Sequence, residues 1–117
     1  MKNVLWKKLQ PLRIPSRWVI DVNNFYHYEP TQENMDWFYG SILISGHNSL
    51  DGLCFDSRYE PEGDPNGSFV LDFFILKINK KTQKTEGIEK FLGTKQTKNK
   101  AEFVELLEEF MFTGKYE

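Results

Sequence analysis

Six carboxylates fall between residues 51 and 72, namely Asp51, Asp56, Glu60, Glu62, Asp64 and Asp72, against one cation, Arg58. Carboxylates at this density support two kinds of chemistry. A pair in a pocket that lifts one pKa can serve as general acid and base. An array on one surface draws in a basic protein, speeding encounter more than it tightens binding. A sequence shows no pocket, so the second reading is carried forward. Asp56, Glu60, Glu62, Asp64 and Asp72 are the candidate partner-binding residues, with Tyr59 as an aromatic anchor among them. A solvated acidic hairpin is the plainer alternative. Other reactive groups are sparse. His27 and His47 stand in no His-x-x-x-His spacing, and Cys54 has no second cysteine for a Cys-x-x-Cys motif, so the pattern points to no metal. Cys54 with either histidine would be the minimum for a thiol nucleophile, and a buried structural thiol is the competing reading. With no phosphate-cradling glycine loop and no nucleophile elbow, the chain is read as a non-enzyme without a cofactor.

The elements that position these residues are legible by period. Phe103, Leu106, Leu107, Phe110 and Met111 recur at three- and four-residue steps between glutamates, which predicts an amphipathic helix from about Asn99 to Phe112. Thr97 or Asn99 is its N-cap and Gly114 its stop. Upstream, two-residue alternation and β-branched or aromatic composition predict strands over Trp18–Val22, Phe38–Ser45, Leu53–Tyr59, Phe69–Ile78 and Ile88–Gly93 or a little beyond. Residues 30–37 read either as a short helical turn or as an irregular approach to the second strand. Glu60 to Gly67 concentrates turn formers, with Pro65 presetting φ and Gly67 able to take a positive φ. The hairpin it closes has two faces. Leu53, Phe55, Tyr59, Phe69, Leu71, Phe73 and Ile75 share an apolar phase that belongs under the helix. Cys54, Asp56, Arg58, Val70, Asp72 and Phe74 share a mixed one. The expectation is an α+β fold: an antiparallel meander of about five strands with the C-terminal helix on one face.

With 117 residues, 39% hydrophobic and 27% charged, the chain is expected to be a single domain over 1–117. Net charge along it is uneven: +1 over residues 1–50, −5 over 51–76, +6 over 77–100 and −4 over 101–117. The lysines of the third segment, Lys77 to Lys100, could contact phosphates. They lack an arginine for base readout and adjoin acidic segments that repel a polyanion, which speaks against nucleic acid. The start, Met1 to Lys8, is not the apolar core of a signal peptide, and no apolar run reaches the roughly 18 residues of a membrane span. A cytoplasmic setting with no membrane partner follows as the expectation. Trp18, Phe25, Tyr26, Tyr28, Trp37 and Tyr39 are the aromatics that could remain exposed, either as protein-binding anchors or as a second small core.

Ile14-Pro15-Ser16-Arg17-Trp18, then Asn24-Phe25-Tyr26, then Tyr59-Glu60-Pro61-Glu62-Gly63-Asp64-Pro65-Asn66-Gly67 and the closing helix give a pattern that resembles small Gram-positive-type bacterial immunity proteins of polymorphic toxin systems. Those sequences carry Ile-Pro-x-Gly-Trp, and Arg17 stands here in the glycine's place. The resemblance implies an antidote that binds a cognate protein toxin. With the acidic segment, the expected toxin is a basic nuclease-type domain inhibited by occlusion. A self-associating interaction module, packing the mixed sheet face against its own copy as a homo-oligomer, is the second expectation.

Overall fold

The computed structural model describes residues 5–116. Five strands, β1 (Val19–Asn23), β2 (Ile44–Asn48), β3 (Leu53–Glu60), β4 (Ser68–Ile78) and β5 (Thr85–Thr97), form one open sheet in sequence order, each antiparallel to the next. Helix α1 (Lys100–Thr113) packs on one face, so the architecture is α+β.

The central hairpin has the register its alternation demands. Phe55 opposes Phe73, Ser57 opposes Leu71 and Tyr59 opposes Phe69, and this phase faces α1. From the helix, Phe103, Leu107, Phe110 and Met111 are buried against it. Asn99 caps α1 by accepting the Glu102 N–H at 3.0 Å, and Gly114, at φ 68°, ends it with its N–H on the Phe110 carbonyl. Ser57 interrupts the apolar phase without cost. Its Oγ donates to the Ile44 carbonyl at 2.6 Å and accepts the Ile44 N–H at 3.1 Å, fixing β2 to β3. The segments on either side of β1 close the helix side. Buried Lys100 donates from Nζ to the His27 carbonyl and to Gln10 Oε1, at 2.5 and 2.7 Å.

Three local expectations are corrected. The second strand is Ile44–Asn48 rather than Phe38–Ser45: Phe38 ends a 3-10 helix, Gln32–Phe38, and is buried against Tyr59 and Phe69. That helix also settles the open reading of residues 30–37. The fifth strand runs over Thr85–Thr97, because register irregularities at Glu86–Gly87, Glu89 and Leu92, with Gly87 and Gly93 at φ of 107° and 152°, break the period that marked only its middle. In the Glu60–Gly67 loop the positive φ belongs to Gly63, at 72°. Gly67 is required for closeness instead, since a Cβ there would stand 2.7 Å from the Glu60 carbonyl oxygen and from Tyr59 Cε2.

Arg17, just before β1, has a φ of 82°. Glycine reaches this conformation without strain, whereas other residues are held there at a cost of about 1–2 kcal/mol. Its exposed ion pair with Asp51, 3.3 Å, offsets little of that. Arg17→Gly is expected to leave stability unchanged or raise it by up to about 1 kcal/mol, and Arg17→Val to lower it. Urea denaturation of the three proteins checks the order.

Candidate functional site

The face of the sheet opposite α1 carries Cys54, Asp56 and Arg58 from β3, and Val70, Asp72 and Phe74 from β4, the mixed phase expected of the hairpin. Val70 is buried there, while Cys54, Asp56, Arg58, Asp72 and Phe74 are partly exposed. A groove of about 430 Å³ runs along this face. Its lining is apolar at Ile42, Phe74, Leu76 and Ile88 and polar at Asp21, His47, Cys54 and Asp56.

Two of the polar residues come together through backbone irregularity. β1 bulges between Ile20 and Val22, which leaves Asp21 as the extra residue. Its Oδ2 then lies 2.8 Å from His47 Nδ1 on β2. His47 in turn opposes Cys54 on β3. The histidine and cysteine of a thiol nucleophile are thus neighbours, but the electrostatics oppose a thiolate. Burial, then the charges of Asp56 and Asp21, push the Cys54 thiol up to about 11. Removing one of those charges, as in Asp56→Asn, is expected to lower that pKa and speed alkylation of Cys54 by iodoacetamide at pH 8 by about threefold. As Cys54 is the only cysteine, mass spectrometry of the intact protein reads the rate directly.

Asp56 opposes Asp72 across β3 and β4, a like-charge pair that the sheet must accommodate. Asp72 is well satisfied: Arg58 Nη1 lies 2.6 Å from its Oδ2, and the Thr94 hydroxyl donates to its Oδ1. The same guanidinium binds Glu60 through Nε. Two carboxylates thereby raise the Arg58 pKa and hold its charge in place. Asp56 has no cation within ion-pair distance among the described residues and accepts only the Ser57 N–H, at 2.8 Å. Burial first, and then Asp72, raise its pKa, against the opposing effects of the Ser57 N–H and Arg58.

The six residues expected to bind a partner therefore divide. Asp56 and Asp72 share the open face, with Glu60 joined to them through Arg58, and Glu62 is exposed on the adjoining loop. Asp64 builds that loop, its Oδ1 accepting the Asn66 N–H at 2.8 Å. Tyr59 is a correction: it is only 2% exposed, its ring packs on Phe38 and Phe69, and its hydroxyl donates to the Asp64 carbonyl at 2.7 Å. Such a residue cannot anchor a partner. The exposed aromatic beside the loop is Tyr39, whose hydroxyl lies where a Cβ on Gly63 would project.

The remaining candidates lie elsewhere. Trp18 and Phe25 are core residues, and Trp18 Nε1 donates to the Met111 carbonyl. His27, Tyr28 and Trp37 stack in succession at centroid distances of 4.4 and 4.6 Å, with Tyr26 against Trp37, which makes a small satellite cluster. The lysine segment does not form one patch. Lys100 is buried, Lys95 lies over the Phe73 and Tyr116 rings, and Lys98 binds the Asn66 carbonyl. Lys80, Lys81 and Lys84 alone crowd the exposed tip between β4 and β5. Among the described residues no three His, Cys, Asp or Glu side chains are grouped to hold a metal ion, and no helix is long and apolar enough to cross a membrane.

Asp21, Ile42 and Ile88 were not legible as site residues, and His47 was legible only as a possible partner of Cys54. Their meeting depends on the bulge in β1 and on the position of β2, and neither has a local signature. Comparison with protein-family models, with curated proteins and with solved structures finds no match to this chain.

Proposed function

We propose that the chain is an immunity-type protein that acts in the cytoplasm, binding a cognate basic, nuclease-type toxin domain and inhibiting it by occlusion. One observation carries the reading. The sheet face opposite α1 presents Asp56 without a cation within ion-pair distance, beside a groove with an apolar lining, and the Asp72–Arg58–Glu60 network and exposed Glu62 lead from it toward the loop with a net negative charge. Apolar area at the centre and like-signed charge around it are what a protein interface uses for affinity and for steering. The resemblance carried by the Ile14–Trp18 and Tyr59–Gly67 segments supports the same class.

Self-association of this face is the second reading, supported by Ile88 and Phe91, which are 59% and 54% exposed. A two-fold pairing would bring the carboxylate-bearing surface against its own copy, a like-charge cost that a basic partner avoids.

The test is capture on the tagged chain from its native host, followed by mass spectrometry and size-exclusion chromatography. A 1:1 complex with a basic protein whose toxicity the chain neutralises is the expected result. Recovery of the chain alone, with a mass that rises with concentration, would replace the proposal by self-association.

A further inference from the structure

We infer that the groove on the open face is a receptor for an arginine side chain of the partner, the stem lying on Phe74 and the guanidinium meeting the carboxylate of Asp56. This rests on the proposed binding of a basic protein and specifies how that protein would be gripped.

The lining sets the chemistry of the occupant. The lining mixes apolar side chains with two carboxylates, so a ligand that matches both must be amphipathic and cationic. The guanidinium already on this face is committed. Arg58 is held by Asp72 and Glu60, which leaves Asp56 without an ion-pair partner among the described residues. Cys54 lines the same groove, and after burial, the larger cause, the charges of Asp56 and Asp21 raise its thiol pKa. Arginine fits better than lysine. Its guanidinium is planar and weakly hydrated, which suits a site walled by apolar side chains, and its stem buries alongside them. Buried arginines are also frequent anchors at interface centres.

The experiment uses two small probes and the intact chain. Nα-acetyl-arginine methylamide and its neutral isostere, Nα-acetyl-citrulline methylamide, are titrated into isotope-labelled protein and followed by backbone and methyl NMR. The arginine probe is expected to shift the resonances of Ile42, Cys54, Leu76 and Ile88, with binding at least about fivefold tighter than that of citrulline. Asp56→Asn is expected to erase the difference between the probes, its dispersed spectrum showing that the fold is kept. Equal binding of both probes, no shifts, or shifts confined to the Glu60–Gly67 loop would overturn the inference. These outcomes separate from the fate of the function. A captured basic toxin whose binding survives in Asp56→Asn would leave the immunity reading standing and remove the arginine receptor. Arginine binding with no basic partner captured would do the reverse.

Discussion

Replacing Phe69 by alanine is expected to remove about 3–5 kcal/mol of folding stability, a large share of the roughly 5–15 kcal/mol that a domain of this kind has in total. Phe69 is fully buried, and four rings close around it. Phe103 of α1 stacks on it at 5.0 Å, Tyr59 meets it edge-on at 5.2 Å, and Phe38 and Phe25 stand at 6.0 and 6.3 Å. These rings come from β3, the 3-10 helix, the segment after β1 and the helix. Truncation therefore opens a cavity where four parts of the chain meet and cannot all collapse inward. Phe69→Leu retains most of the volume and should cost less than about 1.5 kcal/mol. Urea denaturation at constant slope provides the measurement, and a loss below about 1 kcal/mol for the alanine variant would show that Phe69 is not the junction described. The pair also calibrates binding experiments. Phe69 alternates with Val70 and opposes Tyr59, so it faces the helix and not a partner. Any binding lost in Phe69→Ala should follow the fraction unfolded, whereas a change on the open face should not.

Where local chemistry decides an element, its residues announce it. The helix is set by its 3.6-residue stripe, the Asn99 side chain and the Gly114 backbone, and all three act within a turn of their own position. The central hairpin is similar, because the two-residue alternation of β3 and β4 leaves one register that buries Phe55, Tyr59, Phe69 and Phe73 together. β2 is different. Gly46, His47 and Asn48 have little preference for a strand and are placed by their neighbours: a Cβ on Gly46 would meet the Val19 carbonyl oxygen at 2.8 Å and the Phe55 ring at 3.0 Å. Phe38 shows the converse, an aromatic residue with strand-like neighbours that the core recruits into a 3-10 helix.

The site divides along the same line. Asp56 and Asp72 follow from the hairpin register, since both stand in the phase opposite to the helix-facing residues. Tyr59 stands in the buried phase, and its acidic neighbours in sequence concealed that its hydroxyl is used internally, on Asp64. Asp21 and His47 are 26 residues apart and meet only because of a bulge. An extra residue inserted in a strand has no hydrophobic period to betray it.

Asp56 should give stability and binding changes of opposite sign. Its pKa in the folded protein lies above the ordinary 3.8, with burial as the leading cause and Asp72 the main charge acting against ionisation. Between 3.8 and the raised value the native state binds more protons than the unfolded chain, so this group lowers stability as pH rises through that window, and the whole penalty is present at neutral pH. Asp56→Asn keeps an oxygen for the Ser57 N–H and removes the charge. The variant should be more stable than the parent at pH 7, with the difference vanishing below about pH 3.8, where both states of the parent are protonated. Thermal melts across pH 3 to 8 read this directly. Binding should move the other way. Asp56→Lys places a cation opposite a basic partner and next to Arg58, for an expected loss of about 2–4 kcal/mol, or about 30- to 1,000-fold in affinity. Asp56→Asn should lose less but still weaken the complex. A residue kept only for the fold would not be improved by removing its charge, and one idle on the surface would change neither quantity. Greater stability with weaker binding is the signature of a charge maintained for its partner at the fold's expense. Unchanged affinity in Asp56→Lys, measured with the captured toxin, would remove Asp56 from the interface.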